Sequence, residues 1–190
     1  MTSDHDPGRP PEAPEPRRWL VGGGLVVSGG AVLLVQNRRR DGRLDWSPPG
    51  GVIDAGEGLL AGLTREVEEE TGLRIGAWSG PAYRIEAEAP DMGWHLTVEA
   101  HVAEVVEGDL VVADPDGIVV DARFVDPDEC VALVGGSPQW VREPLCEWLR
   151  GAADRGASWS YRVTGALGGE RRIAVERLSG PTPGRPTDAG

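Results

Sequence analysis

The sequence predicts an α/β domain. Apolar runs of strand length recur from Trp19 to Phe124 and again after Trp159. Two segments, Leu59 to Thr71 and Pro138 to Arg150, space their apolar residues as helices do, and Gly- and Pro-rich clusters separate the pieces. At 190 residues and 39% hydrophobic, the chain can build one domain with a substantial core. The expected layout is a disordered Pro-rich leader over 1–18, a domain over 19–178 with its core ending near 150, and a disordered tail over 179–190.

In chain order, strands are expected at Trp19 to Val27 and Ala31 to Gln36, around a Ser28-Gly29-Gly30 turn. Two buried strands explain this apolar stretch better than a membrane or signal segment, because it is glycine-rich and lacks a cleavage pattern. A basic loop follows, in which Arg38, Arg39 and Arg40 are either a solvated hairpin end or candidate phosphate contacts. The loop runs into Trp46-Ser47-Pro48-Pro49-Gly50-Gly51, whose glycine pair lets backbone approach a ligand. Val52-Ile53 reads as a short strand, and the loop Asp54 to Gly58 carries Glu57.

In the first helix, Leu60, Leu63 and Val67 form the apolar stripe, and Gly72 suits a left-handed cap. Strands are then expected at Arg74 to Trp78, Ala82 to Ala87, His95 to Val106 and Ile118 to Phe124, with a loop from Glu107 to Gly117. His95 and His101 share a strand face and read as structural residues. The second helix is amphipathic through Trp140, Val141, Leu145 and Trp148, with Pro144 an internal break or kink. Last comes a β-hairpin over 158–178, turning within Gly165 to Gly169. It places Trp159, Tyr161 and Val163 on one face, which must cover a sheet edge or mate two subunits of a homodimer.

Composition narrows the function. A net charge of -12 argues against general binding to nucleic-acid backbones, but leaves small phosphorylated substrates open. The chain has no lysine, so a Schiff-base or Walker A lysine is excluded. Two cysteines without CxxC spacing, Cys130 and Cys146, read as free thiols in a reducing cytoplasm.

The most informative stretch is Gly51 to Leu73, which reads G-x5-E-x7-R-E-U-x-E-E-x-G-U, with U aliphatic. Such a match arises by accident on the order of once in 10⁷ starting positions, so it far outweighs a lone GxGxxG. On the helix, Glu66, Glu69 and Glu70 stand at i, i+3 and i+4 and cluster on one face, while Glu68 points elsewhere. Mutual repulsion, acids in the last turn and a mid-helix Gly62 all weaken such a helix. A run of glutamates is ordinarily a solvated face; here, several broken local rules at fixed spacing suggest a site instead. A hard divalent cation with oxygen ligands would turn the repulsion into binding.

With all its spaced positions filled and Pro49-Gly50-Gly51 leading in, this stretch resembles the Nudix box, and residues 19 to about 150 resemble a Nudix hydrolase. The resemblance implies an α/β/α sandwich around a mixed sheet, with the C-terminal hairpin an addition. It implies an enzyme that uses Mg²⁺ or Mn²⁺ to cleave the diphosphate bond of a nucleoside diphosphate linked to another moiety. Nucleotide sugars, ADP-ribose, dinucleoside polyphosphates and modified NTPs are the candidate substrates. The alternative is a Nudix-fold regulatory module that binds a nucleotide without turnover.

By the same resemblance, Glu66, Glu69, Glu70 and the Gly50 carbonyl are metal ligands, Arg65 orients the glutamates and Glu57 braces the loop. Glu69 is the favoured general base, with Asp114 or Asp116 as outside candidates. From their residue type alone, Trp46, Tyr83 and Trp94 could stack on a base, although each reads more readily as a core or rim aromatic. Subfamily marks are mostly absent, Pro90 being only near the position at which ADP-ribose hydrolases carry a proline.

Overall fold

A computed structural model describes residues 15–165 and 173–182. The chain runs β1 (Arg17–Leu25), β2 (Val27–Ser28), β3 (Ala31–Arg38), β4 (Leu44–Ser47), α1 (Leu59–Thr71), β5 (Arg74–Ala89), β6 (Trp94–Glu107), β7 (Val119–Val125), α2 (Pro127–Leu133), α3 (Gln139–Leu149), β8 (Ala157–Gly165) and β9 (Ile173–Thr182). A mixed sheet of order β1-β6-β5-β8-β9 faces a smaller one in which β3 pairs with β2, β4 and β7.

Burial divides between two apolar clusters. On one side of the large sheet, Leu63 and Val67 of α1 pack with Val26, Leu33, Leu73 and Ile75. The glycines of β1 let the helix settle closely, since a Cβ at Gly22 would lie 3.0 Å from that of Leu63. On the other side, Tyr83 and Ile85 of β5 meet Cys130 of α2 and Leu145 of α3. Helices therefore cover both faces, which is the expected α/β/α arrangement.

The hairpin is part of this core. Strand β8 pairs in parallel with β5 from Tyr83/Ala157 to Glu88/Arg162, and β9 pairs antiparallel with β8. Trp159, Tyr161 and Val163 are fully buried, so the hairpin extends the sheet past the β5 edge and its aromatic face is consumed within the chain.

Several elements differ from expectation. The two strands proposed for Arg74 to Ala87 are one long strand with irregular pairing between Ser79 and Tyr83, and Val52 makes only an isolated bridge to Val21. Strand β4 went unexpected because it is four residues long and sits in a turn-rich stretch. Helix α2 is too short to show periodicity, although its N-terminal signals are present: Asp126 accepts the Glu129 N–H at 2.8 Å, and Pro127 opens the first turn. Helix α3 continues through Pro144, which is buried. Arg17 and Arg18, placed in the leader, pair with Trp94 and His95, and β9 reaches Thr182 rather than Leu178. Residues 1–14, the hairpin turn beyond Gly165 and residues 183–190 lie outside the described residues.

Candidate active site

The site is assembled from α1 and the segment before it. Pro49 to Ile53 runs beside β1: Gly24 donates to the Pro49 carbonyl at 2.8 Å and Gly22 to that of Gly51 at 3.0 Å. The Gly50 carbonyl, lying between them, has no partner among the described residues. Its own N–H donates to Glu70 Oε2 at 2.8 Å, which ties the segment to the last turn of the helix.

Gly50 has to be glycine. Its φ is +132°, and a Cβ there would collide with the Gly22 carbonyl oxygen. Neighbouring Gly51 differs, because a Cβ there would meet only the end of the Glu66 side chain, 2.6 Å from Cδ. Gly50→Ala is therefore expected to cost about 3 kcal/mol or more and to lower the melting temperature sharply. Gly51→Ala should displace Glu66 and lose activity with a smaller change in melting temperature. Thermal melts of the pair check this.

Arg65 is the hub of the helix face. Its guanidinium donates to both Glu57 oxygens, at 3.2 and 3.1 Å, and to Glu66 at 2.9 Å and Glu69 at 3.1 Å. The Arg65 fork holds the Glu57 carboxyl below its ordinary range. Gly62 belongs to the same construction, since a Cβ there would lie 2.7 Å from Glu57 Oε2. That close approach explains a glycine in mid-helix.

Glu70 is a different case. It is 8% exposed and has one hydrogen bond; burial pushes its pKa up to about 8, with Glu66, Asp114 and Glu69 adding repulsion against the weaker pull of the Gly50 N–H. Glu66 is also raised, by burial first and by Glu69 and Asp116 among its neighbours, although Arg65 opposes the shift. The loop Glu107 to Gly117 thus brings Asp114 and Asp116 towards the helix acids. Asp114 is occupied in holding that loop, accepting from Ile118 at 2.7 Å and Val119 at 2.8 Å. The Asp116 carboxylate has no partner among the described residues.

These residues fit a hard divalent cation. The donors are all oxygen, a nearly buried carboxylate is surrounded by others of its sign, and the open Gly50 carbonyl lies beside them. The acids are not a preassembled cage, for no group of three His, Cys, Asp or Glu side chains able to hold a metal occurs among the described residues. Glu66 and Glu69 lean towards Arg65 and Glu70 towards Gly50.

Beside Gly50 opens a cleft of about 190 Å³. Tyr83 and Ile85 of β5, Leu96 and Val98 of β6 and Trp140 of α3 wall it, and Asn37, Arg39 and Ser47 supply its polar groups. Of the candidate contacts, Arg39 and Tyr83 line this cleft, whereas Arg38, Arg40, Trp46 and Trp94 do not. Trp46 is buried in the core with the Arg123 guanidinium 4.6 Å from its ring centre, and Trp94 packs between Trp19 and Trp140. His95 and His101 pair with Glu86 and Glu99 across the sheet surface. Asn37, Ser47 and Trp140 were missed as site residues; Asn37 falls with Gln36 and Arg38 at the polar end of β3, where nothing in the sequence marks it as buried.

Comparison with known proteins agrees with this architecture. The chain is 22% identical over 134 residues to an ADP-ribose pyrophosphatase of Methanocaldococcus jannaschii, covering 67% of this chain and 73% of that one. A MutT protein from Bacillus halodurans superposes with a TM-score of 0.60 at 24% identity, covering 83% of this chain and 97% of its own. A NUDIX hydrolase from Nitrosomonas europaea gives 0.62 at 18% identity, covering 73% and 93%. The NUDIX domain model matches residues 16–147, and the chain belongs to that family.

Proposed function

We infer that this Nudix hydrolase cleaves the diphosphate bond of a nucleoside diphosphate linked to another moiety, with Mg²⁺ or Mn²⁺ held by Glu66, Glu69, Glu70 and the Gly50 carbonyl. The observation that carries this is the placement of Glu70: a nearly buried carboxyl bonded to the Gly50 N–H, on the same helix face as Glu66 and Glu69, where a bound cation would favour its charged form. When bound, the cation supplies charge neutralisation for the diphosphate and makes water more acidic.

The protein's own groups do the rest. Arg65 fixes Glu57, Glu66 and Glu69 in one network, so the acids are oriented before substrate arrives. Glu69 is the favoured acceptor of the water's proton; Asp116 is the stronger of the loop candidates because Asp114 is spent on the loop. The Gly50-Gly51 backbone leaves room for phosphate beside the helix. Arg39 lines the cleft with its guanidinium paired to Asp45, so it frames the site rather than offering an unpaired charge. The ADP-ribose pyrophosphatase relative supports an ADP-linked substrate. Buried thiols at Cys130 and Cys146 are consistent with a cytoplasmic setting, and no helix among the described residues is long and apolar enough to cross a membrane.

A hydrolysis screen that resolves the nucleotide products decides the matter. ADP-ribose, nucleotide sugars, dinucleoside polyphosphates and modified dNTPs are assayed with Mg²⁺, with Mn²⁺ and with EDTA. Metal-dependent release of a nucleoside monophosphate is expected. Tight nucleotide binding without release from any substrate would favour the regulatory module instead.

A further inference from the structure

We propose that the cleft beside Gly50 takes the purine of an adenine nucleotide, read by the Asn37 carboxamide on the edge formed by the N6 amino group and N7. The proposal rests on the nucleotide reading above and names its substrate class. A space of about 190 Å³ is smaller than the ~300 to 1,000 Å³ of sites that enclose a whole drug-sized ligand, so it suits one planar ring system with the rest of the substrate outside. Ile85, Leu96, Val98 and Trp140 give that ring apolar walls.

Asn37 is built into this space by the backbone. The pairing of β3 with β7 shifts register between Gln36 and Asn37, an irregularity of the kind that re-aims a side chain. The residue is 6% exposed and lines the cleft. Its Nδ2 donates to Ser47 Oγ at 2.9 Å, which anchors the carboxamide at one end, and its Oδ1 has no partner among the described residues. That oxygen is open to the cleft, where water or a ligand can meet it.

A carboxamide presents an acceptor beside a donor, which matches adenine N6 and N7. Guanine and hypoxanthine present two acceptors on that edge and call for an arginine fork. Arg39 lines the same cleft, but its fork is committed: Nε and one terminal nitrogen donate to Asp45 at 2.7 and 2.6 Å, and Asp45 is buried. The reader of two acceptors is occupied, and the reader of a donor-acceptor pair is open.

The test compares ADP with IDP, which differ by the exchange of the N6 amino group for a carbonyl. Calorimetric titration of the full chain should show ADP binding on the order of tenfold tighter or more. Asn37→Asp, which keeps shape but has no donor, should erase the difference. Ser47→Ala keeps the carboxamide but frees its rotation, so discrimination should narrow without loss of ADP binding. Equal affinities in the wild type, no binding of either nucleotide, or discrimination unchanged in a folded Asn37→Asp would overturn the proposal. The two readings fail separately. Equal turnover of ADP-ribose and IDP-ribose would refute the base preference and leave the hydrolase standing. Selective ADP binding without metal-dependent turnover would do the opposite.

Discussion

Glu70→Gln should lower activity by roughly 10² to 10⁴-fold against whichever nucleotide the screen identifies, while leaving the metal-free protein as stable as wild type or more so. The loss follows from removing a well-placed charged group, for which this range is usual. Stability moves the other way because on folding the wild-type carboxyl must either take up a proton or stay charged among acids, and the amide does neither. A Gln side chain can still accept the Gly50 N–H through its oxygen. Stabilisation by Mg²⁺ should shrink in parallel, since a ligand that binds the native state raises its stability by mass action. A destabilised but active variant would refute the metal-site assignment.

The same residue sets a pH dependence. Its folded pKa, about 8, lies above the ordinary 4.5, so folding favours the protonated form. The stability this contributes is fully present below about 4.5 and is lost as pH rises through about 8. At about 1.4 kcal/mol per unit the span is worth up to about 5 kcal/mol. In EDTA, the wild-type melting temperature should therefore fall between pH 5 and pH 8.5 more steeply than that of Glu70→Gln. Parallel slopes would show that Glu70 is not the group responsible.

What the sequence revealed of this site was its local part. Glu66, Glu69, Glu70 and Arg65 sit within one helix, where spacing alone decides which side chains meet, and Gly72 adopts the left-handed φ of +70° that a cap requires. The cleft was not legible, because Asn37, Ser47 and Trp140 come from β3, β4 and α3 and are joined only by tertiary packing. Trp46, which reads more readily as a core aromatic than as a base stacker, is settled by the strand it sits in. Its position before Pro48-Pro49-Gly50 placed it near the site in the chain, but Trp46 and Ser47 adjoin in a strand and so face opposite ways: the serine lines the cleft and the tryptophan enters the core. Even the basic run sorted itself this way, with Arg39 alone of the three lining the cleft.

Truncation after Arg150 should abolish cooperative folding. The sequence showed one apolar face on β8 but not what it would meet, and the structure puts that face in the main core. Trp159 stands edge-on to Tyr83 at 5.7 Å, and Tyr161 donates to Glu143 of α3 at 3.0 Å. Cutting a buried aromatic back to Ala typically costs about 3–5 kcal/mol, and a domain has only about 5–15 kcal/mol in total. Losing Trp159 and Tyr161 together, with the β5 edge left unpaired, consumes most of that margin. The 1–150 fragment is expected to lack a sharp thermal transition and to aggregate through the exposed edge. A soluble fragment with wild-type near-UV circular dichroism would show the hairpin to be dispensable. Single substitutions separate packing from polarity at the same place. Trp159→Ala should lose about 3–5 kcal/mol. Trp159→Phe keeps a ring against Tyr83 and removes a buried indole N–H that has no partner among the described residues, so relief of that group offsets the lost volume. Its denaturant midpoint should lie much closer to wild type than to the alanine variant, and a Phe variant as unstable as Ala would show that packing volume alone decides the site.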